Sequence, residues 1–211
     1  MMATNEERHA ETHRRILAAA TDLFTHNGFT KTSITAIAKQ AGVSPVTLYK
    51  YFDSKMTLGH QVMRHIVVEG YGRFQKLVDD TSIDFTTLVR KMIQSKHDFV
   101  KEMNSDFYKF ALKDLQGEFG STEVMQANQD CKARFWGTLI RRGREAGLIR
   151  PQISDQALMV YIDMYMQYAQ NPKNGTLPAE HPVAMKILTD ELVYLFFYGF
   201  IGCEPGDQSG Q

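Results

Sequence analysis

The chain has 211 residues, of which 43% are hydrophobic and 23% are charged, and its formal net charge is zero. These values are typical of a globular protein with room for one large domain or two small ones. The polar N-terminus and the short apolar run at 192–202, well below the roughly 20 residues of a membrane span, lead us to expect neither a secretory signal nor a membrane anchor. Two cysteines without metal-type spacing, Cys131 and Cys203, fit a reducing cytoplasm.

Charge is unevenly distributed along the chain. Residues 1–65 contain eight Lys and Arg residues against five Asp and Glu residues, whereas residues 66–211 contain 16 against 19. A modestly basic N-terminal quarter favours an anionic partner for that part of the protein.

The spacing of apolar residues predicts helices from the N-terminus onward. The first spans about residues 10–26 and ends at the glycine of HNG, and the second spans about 33–40, capped by Thr32 or Ser33. Ser44 followed by Pro45 is typical of a helix start and predicts a third helix at 45–51.

Six further helices follow, since no proline interrupts residues 46–150 and strand-type alternation is hard to find. The chain is therefore predicted to be all-α, with about nine helices. The later six are expected at about 55–79, 84–103, 106–117, 122–146, 154–170 and 183–200.

The second and third helices, joined by a turn at Gly42, form a candidate helix-turn-helix. At about 100° per residue, the third helix turns Leu48, Phe52 and Pro45 inward. Its outward face carries hydroxyls, rings and an ammonium group, which suit the phosphates and base edges of DNA. Helix geometry alone leaves DNA binding and a non-binding helical domain equally open. The outward and flanking residues are Val46, Thr47, Tyr49, Lys50 and Tyr51.

The stretch RRILAAATDLFTHNGFTKTSITAIAKQAGVSPVTLYKYFDSKMTL closely resembles the DNA-binding domain of TetR-type (TetR/AcrR) transcriptional regulators. The matching elements are ILAAA, NGF with TS just after it, IA..AGVS and TLY.YF.SK..L, within roughly the first 60 residues. The resemblance implies a three-helix DNA-binding domain at residues 1–55 and a larger helical ligand-binding and dimerisation domain at 56–211. The DNA contacts that it implies are Thr32, Ser33, Ser44, Thr47, Tyr49, Lys50, Tyr51 and Lys55.

Two residues depart from the pattern of the family. Ala36 stands where many members have an acidic residue, and Val46 stands where many have glycine. A β-branched Val46 either contacts a thymine methyl group or limits the approach of the backbone to DNA. The expected function is a ligand-responsive repressor that leaves a palindromic operator when a small molecule binds. The alternative is a helical enzyme or protein-interaction module that carries a helix-turn-helix without regulating transcription.

The helix at 154–170 and the one at 183–200 are apolar on every side, which requires burial on more than one face. Either they form a central core pair, or they pack against a partner. In the family that the sequence resembles, the last two long helices form a homodimer, and we expect the same here.

The central helices of that family enclose a small-molecule cavity. Aromatic and methionine residues in this region are core residues by default, although methionine suits sites for varied apolar ligands. The candidates for cavity walls are His97, Met103, Phe107, Trp136, Tyr161 and Tyr165. Within the fourth predicted helix, Gly70 and Gly72 indicate either a helix end or close packing, or else a soft point through which ligand binding tilts the helix.

No arrangement of residues typical of catalysis is visible: there are no paired catalytic carboxylates, nucleophile elbow or P-loop. His9 and His13 are spaced as a metal pair but lie in an N-terminal arm that we expect to be frayed. We therefore predict no enzyme activity, no metal and no cofactor.

Overall fold

The computed structural model describes residues 4–94 and 103–170, together with residues 191 and 195. Within those ranges the chain contains helices and turns but no strand, which confirms the all-α prediction. The predicted helix at 183–200 and the end of the one at 84–103 lie largely outside the described residues. Eight helices lie within residues 4–94 and 103–170: α1 (Asn5–Asn27), α2 (Ile34–Ala41), α3 (Pro45–Tyr51), α4 (Lys55–Asp79), α5 (Phe85–Gln94), α6 (Ser105–Leu115), α7 (Glu123–Glu145) and α8 (Asp155–Gln170).

Helix α1 begins five residues earlier than the sequence pattern predicts, and the reason is a capping box. The Thr4 hydroxyl accepts a hydrogen bond from the Glu7 N–H at 3.2 Å, while the Glu7 carboxylate accepts one from the Thr4 N–H at 2.7 Å. These bonds satisfy N–H groups that a helix start otherwise leaves without partners. The expectation of a frayed N-terminal arm is therefore wrong from Thr4 onward.

Serine hydroxyls begin the next three helices. Ser33, rather than Thr32, caps α2 and accepts from the Ala36 N–H at 3.1 Å. Ser44 and Ser54 accept from the N–H groups three residues ahead at 3.0 Å each. Between α2 and α3, Gly42 adopts φ 66°, a left-handed conformation that favours glycine and reverses the chain within a short turn.

The chain divides into two compact units, Met1–Arg73 with Lys96–Lys132, and Phe74–Ser95 with Ala133–Gln211. Helices α4 and α7 therefore each contribute residues to both units. The division concerns packing, and the functional boundary after residue 55 stays a prediction.

The first unit has a continuous apolar core built from α1 to α4 and α6. Ile16, Ile37, Leu48 and Phe107 are completely buried in it, and the rings of Phe24 and Phe107 lie 5.7 Å apart. Burial of each such side chain stabilises the fold by about 1.5–3 kcal/mol. This core ties α6 directly to the helix-turn-helix.

The second unit is anchored by Arg142 of α7. Its guanidinium donates hydrogen bonds to the carbonyls of Val78 at 2.8 Å, Asp80 at 2.9 Å and Ile83, and so fixes the turn between α4 and α5. Gly143 next to it has no room for a side chain, because a Cβ there would lie 2.5 Å from Ile149.

Helix α4 runs without interruption through Gly70 and Gly72. A Cβ added at either position would meet no atom within 4 Å. The structure thus contradicts both a helix end and close packing as reasons for these glycines. Among the described residues, no helix combines the length and the apolar character needed to cross a membrane.

Candidate nucleic-acid interface

Helix α3 is held by two buried anchors and exposes the rest of its surface. Leu48 is completely buried and Phe52 is 2% exposed, whereas Val46 is 69% and Tyr49 50% exposed. The predicted inward and outward faces are therefore confirmed for these residues. Pro45, predicted to face inward, is exposed, because it stands at the first helical position, before the turn that packs against the core.

The hydroxyls of Ser44 and Thr47 form one polar cluster at the start of α3. The two oxygens lie 2.9 Å apart, and the Ser44 hydroxyl also accepts the Thr47 N–H. This arrangement fixes the position of the Thr47 side chain, which is half-buried, while Ser44 stays exposed. Lys50 is exposed as well, so α3 presents hydroxyl and ammonium groups side by side.

The end of α3 packs against the first turns of α1 through aromatic rings. The ring of Tyr51 lies 4.4 Å from that of His9, and Phe52 stacks on His13 at 4.9 Å. Burial lowers the pKa of His13, and the positive charge of His9 lowers it further. Both histidines therefore pack on α3, a contact between distant segments that the sequence pattern does not reveal.

Thr32 and Ser33, both predicted DNA contacts, occupy different environments. Thr32 is 4% exposed, and its hydroxyl donates to the carbonyls of Gly28 at 2.7 Å and Leu23 at 3.2 Å. Ser33 is exposed and caps α2. Only Ser33 of this pair presents its side chain at the surface.

Lys55, a predicted phosphate ligand at the start of α4, has contacts within the first unit. Its ammonium donates to the Thr30 carbonyl at 3.2 Å and lies 4.7 Å from the centre of the Phe29 ring. Burial lowers its pKa, an effect that the negative charge of Asp106 opposes. Without DNA, the Lys55 side chain is therefore half-buried and lies next to the helix-turn-helix.

Asp106, in the first turn of α6, completes a polar cluster around Thr30. Its carboxylate accepts the Thr30 N–H at 2.7 Å and the Thr30 hydroxyl at 2.9 Å. The N–H bond from Thr30 is the largest reason why the pKa of Asp106 lies below its usual range. Asn104 adds a bond from its N–H to the Thr25 carbonyl at 2.7 Å. The start of α6 is therefore bonded to the turn that precedes α2.

Arg15 of α1 supports the helix-turn-helix turn from the other side. Its guanidinium donates to the carbonyls of Ala41 and, at 3.1 Å, Gly42. These carbonyls belong to the end of α2, where a cation also complements the helix dipole. The signal in the sequence is weak, since Arg15 and Gly42 are far apart along the chain.

The predicted ligand-contacting residues fall in both units. Met103 and the completely buried Phe107 pack in the core of the first unit. In the second unit, Trp136 is 7% and Tyr161 38% exposed, and burial, followed by the neighbouring Tyr161, raises the pKa of Tyr165. His97 lies outside the described residues.

A depression of about 320 Å³ in the second unit contains none of these candidates. It lies beside the turn between α4 and α5, where Asp79, Asp84, Arg141 and Glu145 make its lining strongly charged. Its walls therefore differ from the apolar cavity that the sequence predicts.

A contact between a histidine and a buried carboxyl group joins α4 to α6 in the first unit. His60 Nδ1 lies 2.7 Å from Asp114 Oδ1, and the Asp114 side chain is completely buried. Among the described residues, its Oδ2 has no hydrogen-bond partner. Burial raises the pKa of Asp114, an effect that the charge of His60 opposes. Among the described residues, no cluster of three potential metal ligands occurs.

Comparison with known proteins finds bacterial regulators that are similar to the N-terminal part of this chain. Residues 16–62 match the profile of bacterial regulatory proteins of the tetR family. The chain is 34% identical over 79 residues to the HTH-type transcriptional regulator UidR of Escherichia coli K12, a match that covers 37% of this chain and only 40% of UidR.

Solved structures resemble the fold over nearly the whole chain. A TetR-family regulator from Mesorhizobium loti has a TM-score of 0.61 at 20% identity and covers 92% of this chain and 98% of its own. FadR from Bacillus subtilis, solved in complex with stearoyl-CoA, has a TM-score of 0.60 at 15% identity and covers 88% and 98%.

Proposed function

We infer that this chain belongs to the TetR family of bacterial regulatory proteins and is a DNA-binding transcriptional regulator that responds to a small molecule. The observation that carries this proposal is the division of α3 into a buried side, Leu48 and Phe52, and an exposed side with hydroxyl and ammonium groups. A helix anchored in this way can enter a major groove without disturbing the core beneath it.

In the proposed complex, residues 1–55 read DNA. Thr47 and Val46 approach base edges, where a methyl group can contact thymine. The side chains of Ser33, Ser44, Tyr49, Lys50, Tyr51 and Lys55 contact phosphates, which position the protein without reading sequence. Thr32 contributes by holding the turn before α2, because its hydroxyl is already bonded to two carbonyls.

We propose that residues 56–211 form a homodimer and sense the ligand. Helix α8 supports this because it buries Leu158 and Ile162 while exposing Val160 and Met164 on the other side. A twofold dimer would present two copies of α3 to a palindromic operator, with half-sites about 34–36 Å apart. The protein would act in the cytoplasm as a repressor.

FadR of Bacillus subtilis supports the ligand-sensing part of the proposal, since the same fold there holds stearoyl-CoA. The apolar and aromatic candidates suit a small molecule with a substantial apolar part. We propose that binding involves residues from among His97, Met103, Phe107, Trp136, Tyr161 and Tyr165.

The test is selection of bound duplexes from a random DNA pool, followed by titration of a selected duplex in a salt series. A regulator should enrich a near-palindromic sequence and lose affinity steeply as salt rises. A helical enzyme or interaction module would retard no duplex at any salt concentration, and that result would overturn the proposal.

Two substitutions of Thr47 then separate its methyl group from its hydroxyl. If the methyl group contacts a thymine, Thr47→Val should keep the preferred base and Thr47→Ser should relax it, at about 1–3 kcal/mol of discrimination. The measurement is the affinity for the selected duplex and for single-base variants of it. Equal behaviour of both variants on all duplexes would show that Thr47 reads no base.

A further inference from the structure

We infer that the first turns of α1 belong to the DNA-reading surface, with His9 as a positioning residue that holds the Tyr51 ring for contact with a phosphate. This inference rests on the proposed function, because it assumes that α3 faces DNA. It adds a residue that lies well outside the helix-turn-helix and that no sequence pattern of the domain includes.

The contact itself is close and well oriented. The ring centres of His9 and Tyr51 are 4.4 Å apart and their planes are inclined by 31°. Aromatic pairs at such a separation restrict each other and contribute more than the area that they bury. His9 is exposed and Tyr51 half-buried, so the imidazole covers one side of the tyrosine ring while remaining at the surface itself.

Tyr51 needs such support because of its position in α3. It is the last residue of a helix of seven residues, and at Phe52 the backbone becomes extended, with φ −139°. No following turn of helix is present to restrict the ring. Within the described part of the chain, no hydrogen bond engages the Tyr51 hydroxyl, which leaves that group able to donate to a phosphate oxygen.

The position of His9 is well defined because α1 is capped at Thr4, in the turn before it. The capping box of Thr4 and Glu7 keeps the first turn helical, and His9 lies in the turn that follows. Without the cap, the first turn would lose about 0.5–2 kcal/mol of helix stability and would fray. The cap therefore determines whether His9 is in place to restrain Tyr51.

His13, one turn further along α1, has a different role. It is half-buried and stacks on Phe52, which is 2% exposed and part of the core. Burial lowers the pKa of His13, as expected for a ring that fills space between two helices. The two histidines thus contact different residues at the end of α3: His13 packs on the buried Phe52, and His9 packs on Tyr51 at the surface.

A double-mutant cycle on the full-length protein tests the inference. The probe is a fluorescent duplex selected by the wild-type protein, and the variants are His9→Ala, Tyr51→Phe, the double variant and His9→Phe. His9→Ala should weaken binding roughly 2- to 10-fold, the range expected for one aromatic pair. In the Tyr51→Phe background the same change should have less than about a twofold effect, because the hydroxyl that the pair positions is gone.

Rescue and control variants complete the design. His9→Phe should bind within about twofold of wild type, because the phenyl ring restores the aromatic pair without an imidazole charge. His26→Ala removes an exposed histidine from the other end of α1 and should leave binding unchanged. Thermal melting of each variant checks that the fold is retained.

Three results would overturn the inference. An unrescued His9→Phe would mean that the imidazole contacts DNA directly, and an undiminished effect of His9→Ala on Tyr51→Phe would mean that the two side chains act independently. Unchanged binding by His9→Ala would remove His9 from the interface. None of these results would affect the proposed function, which fails only if the wild-type protein binds no duplex.

Discussion

The exposed faces of α3 and α8 differ in chemistry, although each helix buries its opposite face. On α3, the exposed side chains include the hydroxyl of Tyr49 and the ammonium of Lys50 beside the apolar side chain of Val46 at 69%. On α8, the exposed side chains include the apolar Met164 at 65% and Val160 at 53%. Phosphates and base edges suit the first surface, and another apolar surface suits the second. The degree of exposure is similar, so the chemistry of the exposed groups indicates the kind of partner.

The largest effect is expected when a charge is introduced among the exposed apolar side chains of α8. Met164→Glu should prevent dimerisation, because a carboxylate would be buried without a partner in the proposed interface. A monomer presents a single α3, so affinity for a palindromic duplex should fall on the order of 100-fold. Sedimentation and DNA titration measure the two effects.

The matched control for that experiment is Gln156→Glu, which adds the same charge to the first turn of the same helix. This variant should remain dimeric and bind normally. If Met164→Glu remains dimeric and binds DNA as the wild type does, the exposed apolar side chains of α8 do not form the dimer interface. The chemistry of an exposed face would then not indicate its partner.

The next test concerns a residue at the edge of the polar face. Lys55→Met should weaken binding to every duplex roughly tenfold and reduce the salt slope by about one per contact, as expected when a phosphate-binding cation is lost. Methionine preserves an apolar stem near the Phe29 ring, so the packing beneath the ammonium is largely kept. Lys76→Met removes an exposed lysine from the last turn of the same helix and serves as the control.

A different result for Lys55→Met would also identify the role of this lysine. Its ammonium already donates to the Thr30 carbonyl, and Asp106 bonds to the N–H and hydroxyl of Thr30. A loss of stability with an unchanged salt slope would show that Lys55 ties α4 to this turn and makes no phosphate contact. In that case Tyr51 would be the last residue of the proposed set of phosphate contacts.

The local features of helices α2 to α4 could be predicted from the sequence, since they depend on residues close together along the chain. Serine caps, Pro45 at a helix start and the bounds of α4 all follow from residues a few positions apart. The bond between Thr30 and Asp106 joins residues 76 positions apart, and no periodic pattern encodes it. The contact between the His9 and Tyr51 rings also joins distant segments, so the sequence pattern does not predict it.

The predicted ligand site is less accessible to sequence reasoning. Phe107 and Trp136 have the same hydrophobic signature whether they fill a core or line a cavity, and the structure places them in different compact units. Which of the candidates contact a ligand therefore stays a prediction. For α8, apolar character on all sides indicated burial, but Val160 and Met164 are exposed in the single chain.

A smaller effect is expected from the glycines of α4, the helix that contributes to both units. Gly70→Ala and Gly72→Ala should each raise the free energy of unfolding by about 0.8–1 kcal/mol, because the helix is continuous there and a Cβ would meet no atom within 4 Å. Urea unfolding of each variant measures the change. A loss of stability would mean that the helix is strained or broken at these positions.

The same variants test whether α4 transmits ligand binding to α3. If a soft α4 transmits ligand binding to α3, the double alanine variant should bind DNA but respond less to a ligand found by a thermal-shift screen. An unchanged response together with higher stability would exclude the soft-point hypothesis. The effect of ligand binding would then reach α3 by a route other than bending of α4 at these glycines.

The smallest predicted effect comes from a side chain with no exposure at all. Asp114 is completely buried beside His60, and burial raises its pKa above the ordinary value of 3.8 while the negative charge of Glu123 acts in the same direction. A carboxyl group whose pKa is raised by folding contributes stability below its unfolded pKa, and that contribution is lost as the pH rises through the folded value. Asp114→Asn cannot ionise but keeps an oxygen that can accept from the imidazole.

The free energy of unfolding of Asp114→Asn, relative to wild type, should therefore increase as the pH rises above the ordinary carboxyl pKa of 3.8. Urea titrations at several pH values measure this difference, and Asp130→Asn on α7 reports the effect of removing an exposed carboxylate. A difference that stays constant across the range would mean that the charge of His60 balances the effect of burial, and one that decreases would mean that this charge outweighs burial. If the difference decreases, the pair is an ion pair whose attraction stabilises α4 against α6 within the first unit.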